Sequence, residues 1–228
     1  MPNLALEPKQ RRWTGLPAAD RQQERRTLLL DAALELLGSD GFEAMTVRAV
    51  LERARLNPRY FYESFTDLDQ LAVAVYDRVV DELGDVVWDA LGAAGDEPRD
   101  QVRAVVRGIL EFVDEDRRRG RILYVEGLGN EALNRRRLET GRSVVAFVQD
   151  YSEEKNSGQP ADEVRRVGAS ILVGGFNQLL VDWLAGRVRT SRERLIDDAT
   201  ALFAALGDEA GSVAAARSTP RRSSRAGA

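Results

Sequence analysis

The sequence predicts an all-α protein of about nine helices, and three observations support that fold class. Apolar residues recur at helical spacing through most of the chain, as at Leu29, Ala33, Leu36 and Leu37. Alternating patterns typical of strands do not occur at useful length. Capping residues such as Thr46 precede several of the periodic segments. We therefore expect an N-terminal three-helix domain, joined by a long helix to a larger helical bundle.

The composition excludes the commonest kinds of catalytic and metal site. With 228 residues and 43% hydrophobic content, the chain is long enough to bury a core. It contains neither cysteine nor histidine, which removes thiolate and imidazole groups as metal ligands, nucleophiles and general bases. We expect no catalytic residue, no metal site and no cofactor, although chemistry based on carboxylates or arginine stays open.

The charge and hydropathy patterns favour a cytoplasmic protein. The N-terminus lacks the continuous apolar stretch of a secretory signal. The most apolar segment, ASILVGGFNQLLVDWLAG, contains Asn177, Gln178 and Asp182, so we do not expect it to span a membrane. The net charge of −4 argues against general binding of polyanions, although a local basic face is compatible with it.

Capping and helix-breaking residues divide the chain into four parts. Residues 1–19, with three prolines, are predicted to form a flexible basic arm, and residues 208–228 a basic, disordered tail. Between them, residues 20–66 form the three-helix domain and residues 67–207 the larger helical domain. The N-caps expected for the first, second, third, fourth and last helices are Asp20, Thr46, Asn57, Thr66 and Thr190, and a short helix is expected over residues 121–128.

Two short helices that meet near Asn57 have the spacing of a helix-turn-helix. An asparagine N-cap followed by Pro58 in the first turn is a strong signal for the start of the second of these helices. Because consecutive helical residues are about 100° apart, the aromatics at 60–62 cannot all face one core. We expect Phe61 and Phe65 to fill the core and the other side chains of this helix to face outward.

The outward side chains carry groups that suit double-stranded DNA. Arg59 can donate two hydrogen bonds to guanine O6 and N7, and Tyr60 can contact a thymine methyl, a base or a phosphate. Tyr62 suits a phosphate oxygen. Four arginines against two glutamates between residues 46 and 65 give a local charge of +2. The residues expected to contact DNA are Thr46, Arg48, Asn57, Arg59, Tyr60, Tyr62 and Ser64. The alternative is that the aromatic run belongs entirely to a helical core.

Residues 26–75 resemble the N-terminal domain of TetR-family transcriptional regulators. The features that carry the resemblance are the Gly41-Phe42 turn, the Thr46 start, the Phe61-Tyr62 pair, Phe65 and Leu71. The resemblance implies a homodimer with a variable C-terminal ligand domain, and usually repression that a small molecule relieves. It further implies that two recognition helices occupy successive major grooves of a pseudo-palindromic operator.

Two positions depart from the family pattern. The family usually has glycine in the turn where this chain has Arg55, so we expect strain or an altered turn there. The family also often has a phosphate-contacting lysine at the start of the fourth helix, where this chain has Leu68. Arg48, Arg55 or the N-terminal arm could replace that contact.

The resemblance implies that the last two helices pair with those of a second copy. Their apolar stripes and a Gly-Gly pair at 174–175 agree with close helix packing, although an ordinary intramolecular core is the alternative. The interface residues expected are Ile171, Gly175, Phe176, Leu179, Trp183, Leu202 and Phe203.

A ligand pocket is harder to predict, and no ligand class follows from the sequence. The candidate lining residues are Trp88, Phe112, Tyr124, Phe147, Asn177 and Gln178, although for each aromatic among them a place in the core is the simpler interpretation. The leading hypothesis is a DNA-binding transcriptional regulator, most simply a repressor that a small-molecule ligand releases. The alternative is an all-helical enzyme or small-molecule carrier without DNA binding.

Overall fold

The computed structural model describes residues 18–126, 129–155 and 163–218. Within these ranges the chain forms nine α-helices, a 3-10 turn at Phe42–Ala44 and no strand, in agreement with the all-α prediction. The basic arm up to residue 17 and the tail beyond residue 218 lie outside the described residues. The helices are α1 (Ala18–Ser39), α2 (Val47–Ala54), α3 (Pro58–Tyr62), α4 (Leu68–Ala93), α5 (Pro98–Glu115), α6 (Arg117–Tyr124), α7 (Glu131–Lys155), α8 (Glu163–Leu184) and α9 (Arg192–Ser218).

Helix α4 begins one residue later than predicted, because Asp67 and not Thr66 is its N-cap. The Gln70 backbone N–H donates to Asp67 Oδ1 at 2.7 Å, and the Thr66 N–H donates to the Gln70 side-chain oxygen, also at 2.7 Å. This reciprocal pair works as a capping box. The hydrogen bond from the Gln70 N–H lowers the pKa of the Asp67 carboxyl, since it stabilises the ionised form.

Three other helix starts also differ from their predicted positions. Asp20 is not the N-cap of α1, because that helix already includes Ala18. Helix α6, expected from residue 121, begins at Arg117, because the Asp116 carboxylate accepts a hydrogen bond from the Arg118 N–H at 3.0 Å. At α9 the Ser191 hydroxyl, one residue after the predicted cap, accepts from a backbone N–H in the first turn at 3.3 Å.

The last helix is longer than predicted, and the disordered tail expected from residue 208 is wrong for residues 208–218, which are helical. Burial explains the extension. Ala214 is buried, and Ala210 lies so close to α8 that its Cβ would be 3.4 Å from a Cβ placed on Gly168. Packing against α8 therefore outweighs the weak helix propensity of Gly207.

Two clusters of buried apolar residues form the core. The N-terminal cluster joins α1, α2 and α3 to the first half of α4 and to α6, and includes Leu29, Leu37, Phe61 and Leu71. The C-terminal cluster joins α5, α8 and α9 and consists of Val106, Leu110, Phe176, Leu180, Leu195, Ile196 and Ala199. Tyr124 and Trp183 pack against both clusters, so the small domain is tied to the larger one by continuous apolar packing.

Helices α1 and α6 pack closely against each other where the two domains meet. A Cβ added to Gly38 of α1 would lie 2.5 Å from the Cβ and 3.0 Å from the Cα of Arg118 in α6. Atoms at those distances overlap, and the Arg118 Cα belongs to the backbone, which cannot rotate away. The absence of a side chain at Gly38 is therefore what lets α6 pack against α1.

We predict that Gly38→Ala lowers the free energy of unfolding by about 1–3 kcal/mol, because α6 must move away from α1. The matched control is Gly84→Ala in the middle of α4, where an added Cβ meets nothing within 4 Å. That change should raise stability by about 0.5–1 kcal/mol through helix propensity. Urea unfolding followed by circular dichroism measures both, and equal effects of the two changes would contradict the close contact.

Candidate nucleic-acid interface

The two short helices α2 and α3 form the predicted helix-turn-helix, and side-chain caps set where each begins. The Thr46 hydroxyl oxygen accepts a hydrogen bond from the Ala49 N–H at 3.1 Å at the start of α2. The Asn57 side-chain oxygen accepts from the Arg59 N–H at 3.1 Å, and Pro58 occupies the first turn of α3. The caps thus fix the rotational phase of α3 about its own axis, and with it the direction of every side chain.

The aromatic residues of α3 divide between core and surface as predicted. Phe61 has no exposed area and Phe65 is 3% exposed, whereas Tyr62 is 65% exposed. The Phe61 ring meets the Tyr62 ring edge-to-face, with centroids 5.2 Å apart, and this contact restrains the outward ring. A tyrosine so exposed beside a fully buried phenylalanine does not belong to an entirely intramolecular core.

Tyr60 and Ser64 are less exposed than the sequence suggested, since both are half-buried. The guanidinium of Arg25, in α1, lies 4.4 Å from the centroid of the Tyr60 ring and covers one face of it. Arg25 also pairs with Glu63 at 3.5 Å. The sequence did not identify Arg25 as part of this surface, because only the packing of α1 across α3 brings it there.

Carboxylates partner most of the arginines on this surface. Arg48 donates to Glu52 at 2.8 Å, and Arg59 donates to Glu63 at 2.8 Å, both at the i,i+4 spacing. The arginine side chains of these pairs are 88% and 81% exposed, so solvent and salt screen the pairs. A phosphate oxygen can replace either glutamate as the partner without burying an unpaired charge.

The turn between α2 and α3 keeps its left-handed residue although glycine is absent. Arg55 has φ 54° and ψ 45°, and it is the only non-glycine residue with positive φ in the described part of the chain. The Leu56 N–H donates to the Leu51 carbonyl at 3.1 Å. This hydrogen bond is typical of an α-helix that ends with one residue in the left-handed conformation. Of the two outcomes expected from the sequence, the turn is therefore strained and not altered.

The second departure, Leu68, is explained by packing. It is the first residue of α4, and it lies half-buried against the N-terminal cluster. An apolar side chain in that position adds to the core and offers no hydrogen bond to a phosphate.

We predict that Arg55→Gly raises the free energy of unfolding by about 1 kcal/mol, because glycine adopts the left-handed conformation without steric cost. Arg55→Ala is the control, since it removes the same charge and keeps the Cβ that causes the strain. Denaturant unfolding at high salt, where charge effects are screened, compares the two. A gain in Arg55→Ala as large as that in Arg55→Gly would assign the effect to charge instead.

The structure separates the seven predicted dimer residues into an outer and an inner set. Ile171 is 58% exposed, Leu202 is 69% exposed and Gly175 is also exposed. Phe176, in contrast, is buried in the C-terminal cluster, and its ring meets that of Phe203 at 5.3 Å. Phe176 therefore packs inside its own subunit, and the remaining three residues, Leu179, Trp183 and Phe203, are half-buried at the edge of that cluster.

The reason for this division is the helical repeat of α8. Its buried positions are spaced three or four residues apart along one side and include Val173 and Leu180. The outer side carries Val167, which is 52% exposed, Ile171 and the Gly174–Gly175 pair. Val167 was not predicted, although its spacing of four residues from Ile171 could have indicated it.

The six predicted ligand residues do not line one cavity. Phe112 is buried in the core beneath the Arg119 guanidinium, and burial of Tyr124 between the two clusters raises the pKa of its hydroxyl. Asn177 and Gln178 are exposed on α8. Only Trp88 and Phe147 meet, edge-to-face at 5.1 Å, and Phe147 also lies 5.9 Å from Tyr151.

Among the described residues, no group of three or more acidic side chains is arranged to hold a metal ion. Helix α8 is long and apolar enough, by length and composition, to cross a membrane, and 17% of its most apolar window is buried. A single helix of this kind is weak evidence for a membrane span, and α8 carries Asp182 near its end.

Comparisons with known proteins agree with this geometry. The sequence model of the family described as "Bacterial regulatory proteins, tetR family" matches residues 29–75. The HTH-type transcriptional regulator BetI of Rhizobium meliloti is 26% identical over 170 residues, covering 71% of this chain and 80% of BetI. The HTH-type transcriptional activator FasR of Mycolicibacterium smegmatis is 32% identical over 114 residues, which are 50% of this chain and 50% of FasR.

Solved structures extend the likeness to most of the chain. A TetR-like transcriptional regulator from Rhodococcus sp. RHA1 superposes with a TM-score of 0.63 at 21% identity, covering 87% of this chain and 99% of that one. The regulator FadR of Bacillus subtilis, in complex with stearoyl-CoA, superposes with a TM-score of 0.64 at 12% identity, covering 78% and 96%. At these identities the likeness demonstrates a shared fold.

Proposed function

Because the chain belongs to the TetR family of bacterial regulatory proteins and is a DNA-binding transcriptional regulator, we propose that it is a homodimeric repressor that a small molecule releases from its operator. The observation that carries the DNA-binding role is α3, whose buried Phe61 lies beneath exposed Arg59 and Tyr62. The cytoplasm is the compartment in which such a protein meets DNA. This role requires no catalysis.

On this proposal the N-terminal end of α3 enters the major groove. Arg59 exchanges its glutamate partner for guanine O6 and N7, which carries sequence information. The Tyr62 hydroxyl donates to a phosphate, which positions the helix without reading a base. Thr46 and Arg48 at the start of α2 meet the flanking backbone, where the N-terminus of a helix favours phosphate.

We predict that Arg59→Ala costs about 1–3 kcal/mol of binding free energy at its cognate base pair and relaxes specificity there. Tyr62→Phe is the comparison, since loss of a phosphate contact should weaken binding to all sequences alike. Fluorescence anisotropy with operator and scrambled duplexes distinguishes the two effects. Equal losses for Arg59→Ala on both duplexes would mean that Arg59 meets only phosphate.

The proposed dimer forms through the outer side of α8 and through α9. Ile171, Val167 and Leu202 together expose an apolar face that costs free energy in water, and burying it against a second copy recovers that cost. The glycines at 174 and 175 have no atom within 4 Å of an added Cβ, so they leave room for a close approach of two helices. A two-fold axis beside these glycines makes the contact self-complementary.

We predict that Ile171→Glu converts the dimer into a monomer, since two carboxylates would face each other across the axis. The side chain is exposed in the subunit, so folding should be unaffected. Leu138→Glu is the control, because Leu138 is similarly exposed, at 52%, but lies on α7, which is not part of the proposed interface. Light scattering after size-exclusion chromatography measures the mass. A dimeric Ile171→Glu protein would contradict the proposed interface.

A ligand site between α4 and α7 is supported by the uneven packing of these helices. Every buried residue of α4 lies between Leu71 and Val79, and beyond that point its apolar side chains are only partly covered. Trp88 is 59% exposed beside Phe147. These apolar surfaces suit a ligand with a hydrocarbon part, and FadR, a structural neighbour, was solved with stearoyl-CoA.

Two contacts could transmit ligand binding to the DNA-binding domain. Helix α4 runs from the proposed ligand site to the N-terminal cluster. At the end of α6, the Glu126 carboxylate accepts from the Phe42 N–H at 3.1 Å and from Arg121 at 2.5 Å, and Arg121 also donates to the Ser39 carbonyl. Movement of α6 would therefore pull directly on the turn that follows α1.

The proposed function is tested by a gel-shift assay with DNA from upstream of the chain's own coding region. A specific complex is expected, and its loss on addition of stearoyl-CoA as the first probe would support a ligand-released repressor. Activation is the second candidate, because FasR, a relative of this chain, is a transcriptional activator. Transcription from the same fragment in vitro distinguishes repression from activation. Absence of any specific complex would favour the enzyme or carrier alternative.

A further inference from the structure

We infer that Arg55 is a phosphate-binding residue of the DNA interface. The affinity for DNA that its charge adds offsets the folding stability that its left-handed conformation costs. This inference rests on the proposed DNA contact of α2 and α3. Of the three groups that the sequence offered as a replacement for the missing lysine contact, it selects the residue of the turn.

The position of Arg55 places it on the same surface as the predicted contacts. It lies at the end of α2, and it lines an open groove together with Arg48 from the first turn of α2 and Tyr62 from the last turn of α3. The other groove residues include Pro58 at the start of α3 and Glu52, whose carboxylate pairs with Arg48. Arg55 therefore lies on the side of the molecule that the proposed duplex would contact through Arg48 and Tyr62.

The charge of Arg55 distinguishes it from its neighbours. Arg48, Arg53 and Arg59 each pair with a glutamate. In the described ranges no carboxylate lies within ion-pair distance of the Arg55 side chain, which is exposed. A phosphate can therefore bind Arg55 without displacing an existing partner, whereas at Arg48 or Arg59 it must replace a carboxylate.

The backbone conformation shows that the turn does not itself require arginine. A residue at φ 54° and ψ 45° is easiest for glycine, and asparagine tolerates it next best. The Leu56 N–H closes the helix end whatever the side chain at position 55. Arginine adds a long, positively charged side chain at this position, and that side chain lines the groove.

Binding measured as a function of salt tests the inference on the full chain. We expect Arg55→Gly to reduce the slope of log K against log salt by about 0.9 per subunit. Affinity at 0.15 M salt should fall roughly five-fold per subunit by the same relation. Arg55→Lys should keep the wild-type slope, because it keeps the charge. Arg55→Gly should be at least as stable as the wild type, so a loss of binding cannot be attributed to unfolding.

The control is Arg53→Ala, two residues away on the same helix, where the arginine pairs with Glu35 and does not line the groove. Its slope should equal that of the wild type. A wild-type slope in Arg55→Gly, or an equal reduction in Arg53→Ala, would overturn the inference.

The same titration on a random duplex separates this inference from the proposed function. A phosphate contact does not need an operator, so the Arg55 effect should appear on both duplexes. If the protein prefers no upstream fragment over random DNA, the proposed regulatory role is contradicted. The slope measured on random DNA still tests the role of Arg55.

Discussion

The interface depends on one constraint, which is that a helix of five residues must both anchor itself and present a binding surface. Helix α3 is too short to be stable in isolation, so tertiary contacts must hold it. The full burial of Phe61, which contributes about 1.5–3 kcal/mol, supplies the anchor. Since each residue turns the helix by about 100°, burial of Phe61 directs Arg59 away from the core, and Tyr62 faces the side that α1 does not cover. The binding surface is thus a consequence of core packing.

The carboxylates beside the arginines limit how strongly this surface attracts DNA in general. Each phosphate that binds Arg48 or Arg59 displaces a glutamate, so part of the electrostatic gain is returned. Arg59 also loses Glu63 when it binds guanine, but it gains the base hydrogen bonds only on the correct sequence. Contacts to base edges therefore make up a larger share of the difference between operator and random DNA. A chain with a net charge of −4 depends on that difference, because its overall field repels the duplex.

Local rules were sufficient for the helix-turn-helix but not for features that depend on distant packing. Asn57 and Pro58 mark the start of α3 in any context, and the rotation per residue then separates Phe61 from Tyr62. Thr66 and Asp67 are both good caps, however, and only the geometry of Gln70 decides between them. The sequence contains no sign that α1 brings Arg25 onto Tyr60, or that α8 buries the end of α9.

Helix α8 illustrates why one apolar segment can suggest several functions. Its inner side packs on its own subunit through Phe176 and Leu180, while its outer side carries Ile171 and two glycines. Seen without its neighbours, a helix that is apolar on both sides has the composition of a membrane span. In the proposed dimer each side instead has a protein partner. Glycines at the contact would let the backbones set the distance between the subunits, and that distance in turn governs the spacing of the two α3 helices on DNA.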